Sequence, residues 1–288
     1  MPAMPTSLIW FVTGASQGLG LSLVRELLRA GHRVAATSRR LAELQRAVPA
    51  ADPARFLPLH MDLGSEPSVQ QALDTAIRTF GRLDVVVNNA GYGQLGSLEE
   101  LSDEEARRNF DVNVFGLLHV LRHAAPQLRR QRAGHVFNIS SIGGFTGNFP
   151  GWGIYCATKF AVDGLTESFA AEMREFGVRV TTVKPGYFRT GFLSAASMSK
   201  PQRPIAAYQA VRDSQALHEQ HLNGRQPGDP AKAAAVLIEA SAAENPPLHL
   251  FLGEDAYRAA EQKIAAVQQD MRQWQASATA TNFAEAEA

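Results

Sequence analysis

The stretch LIWFVTGASQGLG, residues 8–20, narrows the folds open to this chain more than any other. A continuous apolar run passes directly into a turn holding Gly14, Gly18 and Gly20, and then into an apolar-periodic segment that stops at Ala30-Gly31. That order is a buried strand, a glycine turn and a helix. Glycines there let the backbone approach a pyrophosphate, and the free amides at a helix N-terminus supply donors and positive potential for it. The spacing is GxxxGxG and not the commoner GxGxxG, so the other reading is a turn that only permits tight packing.

The same alternation continues along the chain. Strands are predicted at 33–37, 56–60, 85–87, 135–140, 178–183 and 248–252, separated by helical patterns, which is the signature of a doubly wound α/β fold with a parallel sheet. Ser102 with Glu105 forms a capping box, so a long helix is expected from about 103 toward Gly134, with Asn113 on its apolar face. A buried Asn needs partners, and a backbone bond that bends the helix or a bound water would serve. From Phe192 to about Pro227 the periodicity fails, and 187–227 is expected to form a lid or pocket wall. Asp229-Pro230 begin a short helix. A last helix from about Asp255 carries Tyr257, Ile264, Val267, Met271 and Trp274 as one apolar stripe, expected to pack on its own or a sister subunit, and 276–288 is expected to be a loose tail.

The ends of the strands carry the chemistry. Where an acidic residue would grip an adenosine ribose diol, the second strand ends in Ser38, Arg39 and Arg40. Guanidinium groups favour a phosphate there, hence NADP(H) over NAD(H), unless the pair simply starts a solvated helix. Asp62 follows the third strand, where it could accept from an adenine amine or shape the turn, and NNAG, with Asn88 and Ala90, follows the fourth. Beyond the fifth strand lies NISSIGGFTGNFPGWGIYCATK, residues 138–159, in which Tyr155 and Lys159 stand one helical turn apart. An ammonium so placed could acidify a phenol.

Composition bounds the partners. With 28 basic and 28 acidic residues there is no basic field for nucleic acid or an anionic membrane. No run approaches 18 apolar residues, so a membrane span or secretion is not expected. A single cysteine excludes an internal disulfide and suits the cytoplasm, and none of the eight His falls in a metal-ligand pattern. The length suits one large domain spanning 1–288.

TGASQGLG, NNAG, Asn113, Ser141, Tyr155-Cys156-Ala157-Thr158-Lys159 and Pro185-Gly186, in this order over about 7–253, resemble the short-chain dehydrogenase/reductase family. The resemblance implies a Rossmann-like doubly wound seven-stranded parallel sheet flanked by helices, in strand order 3-2-1-4-5-6-7. It implies Tyr155 as general acid, Ser141 holding the carbonyl oxygen, Lys159 lowering the tyrosine pKa and binding the nicotinamide ribose, and Asn113 positioning a water behind the lysine. Gly14, Ser16, Gly18, Leu19, Gly20, Ser38, Arg39, Arg40, Asp62, Asn88, Ala90, Pro185, Gly186 and Thr190, with Tyr155 and Lys159, would line the cofactor. It also implies a homodimer or homotetramer built on the helices near 103–132 and 155–176.

Two features depart from the family pattern. Ser141 lies 14 residues before Tyr155, one more than in many relatives, so Ser140 is a second candidate. Gln17 stands where NADP(H)-preferring relatives often carry a basic residue. Phe145, Phe149, Trp152, Tyr187 and Phe192 are candidates for the wall of an apolar substrate pocket. The expected activity is hydride transfer between NADP(H) and a ketone or secondary alcohol. An NAD(H)-preferring dehydrogenase of the same family, or a dinucleotide sensor without turnover, are the other readings.

Overall fold

The computed structural model describes residues 7–49, 52–195 and 197–283. In chain order it holds β1 (Ile9–Val12), α1 (Gly18–Arg29), β2 (Arg33–Ser38), α2 (Leu41–Ala47), β3 (Phe56–His60), α3 (Glu66–Phe80) and β4 (Val85–Asn88). A two-residue β5 (Gly93–Gln94), α4 (Asp103–Phe110), α5 (Gly116–Gln131), β6 (Gly134–Ile139) and α6 (Gly153–Met173) follow. Then come β7 (Val178–Pro185), a two-residue β8 (Met198–Ser199), α7 (Gln209–Ala216), α8 (Pro230–Ala242), β9 (His249–Leu252) and α9 (Glu254–Thr279).

The main sheet has seven strands in the order β3-β2-β1-β4-β6-β7-β9, all parallel. Once the two-residue strands are set aside, this is the order the resemblance implies. Side chains alternate along a strand, so Ile9 and Phe11 of β1 join one apolar layer while Trp10 and Val12 join the other. The first layer packs under α3, α5 and α6 and the second under α1, α2 and α8. A sheet covered on both faces is why its strands read as continuous apolar runs and not as alternation.

Local signals set the boundaries. Ser65 caps α3 and Gly81, at φ 84°, ends it in the left-handed region. Ser102 and Glu105 form the expected reciprocal cap of α4. The long helix expected from 103 is interrupted at Asp111–Phe115 by a π-turn centred on Asn113, so it runs as α4, a bulge and α5.

The segment 187–227, aperiodic in sequence, carries regular structure: β8 pairs with β5, and α7 continues through a π-turn at Leu217–Leu222. Its helix is mostly polar and buries only Val211 and, in the π-turn, His218, so no apolar stripe marks it. The last helix does not stop near 276 but continues to Thr279, and 284–288 lie outside the described residues. Of its apolar stripe, Tyr257 meets Phe251 of its own subunit, with ring centres 6.0 Å apart, and the residues beyond face outward. Only Ala256 and Ala260 are buried, and Met271 and Trp274 are 67% and 63% exposed.

Candidate active site

The carboxyl ends of β1, β2, β4, β6 and β7 open onto one cleft. Its floor is the glycine turn. Gly14 and Gly18 adopt φ of 65° and 59°, a region an L side chain enters only with strain. A Cβ on Gly14 would also stand 2.7 Å from Ala90 Cα, so the turn after β1 lies directly against the turn after β4. Asn89 ties the two together. Its Nδ2 donates to the carbonyls of Thr13 and Gly14 at 2.9 and 3.1 Å, and the Thr13 hydroxyl accepts from the amides of Asn89 and Ala90, each at 3.0 Å.

Ser16, Leu19, Ser38, Arg39, Arg40 and Asp62 line the cleft beside the two glycines and Ala90. Ser38 donates to Ser16 Oγ at 3.1 Å and accepts from the Arg40 amide at 3.0 Å. The Arg40 guanidinium is paired with Glu43 at 3.1 Å. Arg39 makes no side-chain hydrogen bond or ion pair among the described residues. An unpaired guanidinium and the amides opening α1 fit a phosphate-bearing dinucleotide. Asp62 accepts from the Gly64 amide at 3.1 Å, which shapes its turn while leaving the residue in the wall. On the far side Pro185, Gly186 and Thr190 line the cleft. Gly186 presses on the Asp255 carboxylate, which leaves no room for a Cβ.

Two residues expected at the cofactor lie elsewhere. Asn88 is the last residue of β4 and its side chain points into the core, where Nδ2 donates to Asn138 Oδ1 at 2.8 Å. Its neighbour Asn89 takes the cleft position. Gly20 does not reach the cleft; a Cβ there would collide with the Asn89 amide and the Gly14 carbonyl, so it serves the seating of α1.

At the other end, Tyr155 and Lys159 lie one turn apart in α6, both buried and both lining the cleft. Lys159 Nζ donates to the Ile139 carbonyl at 2.9 Å and sits 5.8 Å from the centre of the Tyr155 ring. Burial holds the phenol proton tightly and pushes its pKa above the usual tyrosine range, with the nearby Ser141 hydroxyl opposing the rise. Desolvation is the largest influence on this phenol in the protein without cofactor. The lysine is itself lowered to about 8 by burial, opposed by Asp163.

The hydroxyl of Ser140 donates to the Lys159 carbonyl at 3.2 Å and is thereby committed. The Ser141 hydroxyl accepts from the Gly143 amide at 3.0 Å, which leaves its own proton free to donate. Asn113 stands behind the cleft. Its Oδ1 accepts from the Tyr92 amide, and its Nδ2 donates to the Tyr92 carbonyl and to Thr158 Oγ1, at 3.0, 3.0 and 3.1 Å. Its side chain therefore orders the wall at the π-turn, and only Gly91 stands between it and the lysine: a Cβ there would lie 3.0 Å from Asn113 Oδ1 and 3.5 Å from Lys159 Nζ.

Phe149, Trp152, Tyr187 and Phe192 line the space beside Tyr155, with the Trp152 and Phe192 rings 5.6 and 5.7 Å from the phenol ring. Phe145 does not line it. The short turn Ile142–Gly144 directs this ring onto Phe251, 5.3 Å away and edge-on, under the start of α9. Residues absent from the sequence reading complete the wall: Asn89, Tyr92, Gly143, Cys156, His218 and Gln226. Asn89 was within the NNAG motif, but His218 and Gln226 fall in the aperiodic segment and carried no signal.

This arrangement can hold a proton on a buried phenol, present a serine hydroxyl beside it, and keep a cation one turn away. The short chain dehydrogenase family profile matches residues 9–200. Oxidoreductase BOA17 of Botryotinia fuckeliana is 34% identical over 248 residues, covering 86% of this chain and 89% of that protein. The 3-ketodihydrosphingosine reductase of Bacteroides thetaiotaomicron is 35% identical over 247 residues, covering 85% and 87%. A solved short-chain dehydrogenase of Streptomyces avermitilis superposes with a TM-score of 0.88 at 34% identity, covering 96% of this chain and 99% of that one. Sequence, fold and cleft agree, and the chain belongs to the short-chain dehydrogenase/reductase family.

Proposed function

We propose that this oxidoreductase transfers a hydride between NADP(H) and a ketone or secondary alcohol, with Tyr155 exchanging the proton. The observation that carries the reading is the continuity of one cleft from Arg39, past the glycine turn, to Tyr155 and Lys159. The bound nicotinamide would supply or accept the hydride, and the remaining work falls to the chain's own groups.

Arg39, unpaired at the end of β2, would meet the ribose phosphate. The amides after Gly14 would take the pyrophosphate, and Lys159 would hold the ribose hydroxyls with the protons not given to Ile139. Ser141 would donate to the substrate oxygen, and Tyr155, protonated at neutral pH, would give it a proton as charge develops there. Apolar rings exclude water from this end, which strengthens each of these interactions. The NAD(H)-preferring reading draws on Gln17, whose Nε2 is spent on Ser197 Oγ at 2.8 Å and so adds no second cation at the phosphate.

The same proposal takes the chain as one catalytic unit with 187–227 as its substrate wall, assembled as a homodimer or homotetramer in the cytoplasm. Among the described residues no helix is long and apolar enough to cross a membrane. The purified protein should oxidise NADPH against a panel of ketones. Binding of NADPH without turnover, together with an unaltered Tyr155→Phe variant, would leave the sensor reading in its place.

A further inference from the structure

The substrate side of the cleft contains a pair of residues with a fixed hydrogen-bond polarity. His218 is buried in the π-turn after α7, and its Nδ1 lies 2.7 Å from the Ser214 carbonyl. A carbonyl oxygen can only accept, so Nδ1 carries the proton. In a neutral ring Nε2 is then an acceptor. It faces the Tyr187 hydroxyl at 2.8 Å, and that bond can be made only by the phenol donating. Burial keeps the imidazole in this neutral state at physiological pH by lowering its pKa.

The Tyr187 proton is thereby committed, and its oxygen has only lone pairs left to offer in the cleft it lines. The pair is close to the reacting end, because the His218 ring lies 4.8 Å from that of Trp152, which in turn lies 5.6 Å from that of Tyr155. Two further polar groups of this cleft are unspent. Trp152 Nε1 and both carboxamide atoms of Gln226 are buried without a hydrogen-bond partner among the described residues.

From this geometry we infer that the preferred substrates are hydroxy ketones, whose hydroxyl donates to Tyr187 Oη while His218 holds the Tyr187 proton away from the substrate. The inference rests on the hydride-transfer reading above and names the substrate class for that site. An ether or a second carbonyl at the same place would bring an acceptor to an acceptor.

Phenacyl alcohol and β-hydroxypropiophenone, each with its methyl ether, test this in two ways. Their Kd values are measured by calorimetry on the protein loaded with NADP+, and their kcat/KM values with NADPH. The wild type should prefer each better-fitting hydroxy ketone over its ether by about tenfold, the worth of one unpaired polar group. Tyr187→Phe should remove the preference by weakening the alcohol. His218→Phe should instead free the phenol proton and strengthen the ether by about fivefold, a gain that simple crowding of the methyl group does not explain. Equal binding of alcohol and ether by the wild type overturns the inference, as does a Tyr187→Phe variant that keeps the preference. Tyr187→Phe alone decides the matter if His218→Phe does not fold. Binding with the expected pattern but no turnover would count against hydride transfer while upholding the polarity of the wall.

Discussion

Lys159 Nζ lies 5.8 Å from the centre of the Tyr155 ring and gives its hydrogen bond to the Ile139 carbonyl, not to the phenol. The ammonium is held near the reacting end by a strand's carboxyl terminus, at a cost in desolvation. Lowering its pKa from 10.5 to about 8 corresponds to about 3 kcal/mol of folding free energy at neutral pH. The unfolded chain holds this proton more tightly, so the penalty is fully present below about pH 8 and is relieved as pH rises from there toward 10.5. Lys159→Met should therefore raise the unfolding free energy at pH 7 by roughly 1–3 kcal/mol, after loss of the bond to Ile139. The same variant should lose at least about 100-fold in kcat/KM, since a group acting on the reacting end is worth that much. Urea unfolding beside a reductase assay checks both, and a destabilised variant would show that the lysine is a structural partner.

The raised pKa of Tyr155 sets the direction of its pH dependence. A phenol that keeps its proton through neutral pH is an available acid for reduction, whereas oxidation needs it deprotonated. Carbonyl reduction should be level from about pH 6 to 8 and fall above, as the Lys159 charge is lost near 8. Alcohol oxidation should climb with pH over the same range. Initial rates in both directions, from one set of buffers, provide the test; an oxidation rate independent of pH would exclude Tyr155 as the base.

How far the sequence predicted these features depends on what kind of signal each one carries. The strands β1, β4, β6 and β7 announce themselves because both faces are covered, and the helix ends at Gly81 and Gly177 because a left-handed residue is needed there. Which of two neighbours faces the cleft is a different matter. Asn88 and Asn89 are the same residue type, and only the alternation at the end of β4 turns one inward and the other outward. Phe145 and Phe149 differ in the same way through the turn at Ile142–Gly144. The pairing of Gly93–Gln94 with Met198–Ser199 joins segments about a hundred residues apart and only two residues long, so no periodicity could reveal it. His218 was hidden for a related reason: it is the one buried side chain of a short helical turn, LHEQHL, with no apolar periodicity around it.

His135 makes the fold sensitive to acid. The Thr181 hydroxyl donates to the Pro247 carbonyl and so accepts from His135 Nε2, at 2.7 and 2.9 Å, which fixes a proton on Nε2 and leaves Nδ1 unpaired. Burial, with Arg179 beside it on the next strand, lowers its pKa to about 3. Unfolding lets the ring take up a proton below its ordinary 6.5, so stability is intact above that pH and falls as pH drops toward 3. Between pH 7 and pH 4.5 this one group should remove about 2–3 kcal/mol. His135→Leu should flatten the dependence by that amount in denaturant titrations at the two pH values, and parallel curves for the two proteins would count against it.

In the proposed function cofactor choice would turn on Arg39, because Arg40 is already paired with Glu43. A hydrogen-bonded charge pair of this kind is worth about 1.5–3 kcal/mol. Arg39→Asp should raise the Kd for NADPH by roughly 10- to 100-fold and leave that for NADH within about threefold. Fluorescence titration with both nucleotides measures the ratio. Equal losses would move the phosphate contact to another residue and reopen the NAD(H) reading.

The exposed apolar side chains separate two ways of assembling. Phe115, in the π-turn before α5, and Phe160, in α6, are 50% and 44% exposed on the helices where the resemblance implies an interface. The α9 stripe is a second apolar surface, and every described residue from 261 to 283 is exposed. Among the described residues nothing packs on that length of helix, and helices gain most of their stability from packing. A chain ending at Ala260 keeps the buried Ala256 and Ala260, so its melting temperature measured as a monomer should change by less than about 2 °C, within the range of an unpacked surface change. In the proposed homo-oligomer built on the α5 and α6 face, Phe115→Glu with Phe160→Glu should give monomer in sedimentation velocity runs, because each charge would have to be buried unpaired, and a wild type that already sediments as monomer overturns that proposal. Should the truncation dissociate the protein and the double substitution leave it intact, α9 and not the α5 and α6 face is the surface that holds the subunits together.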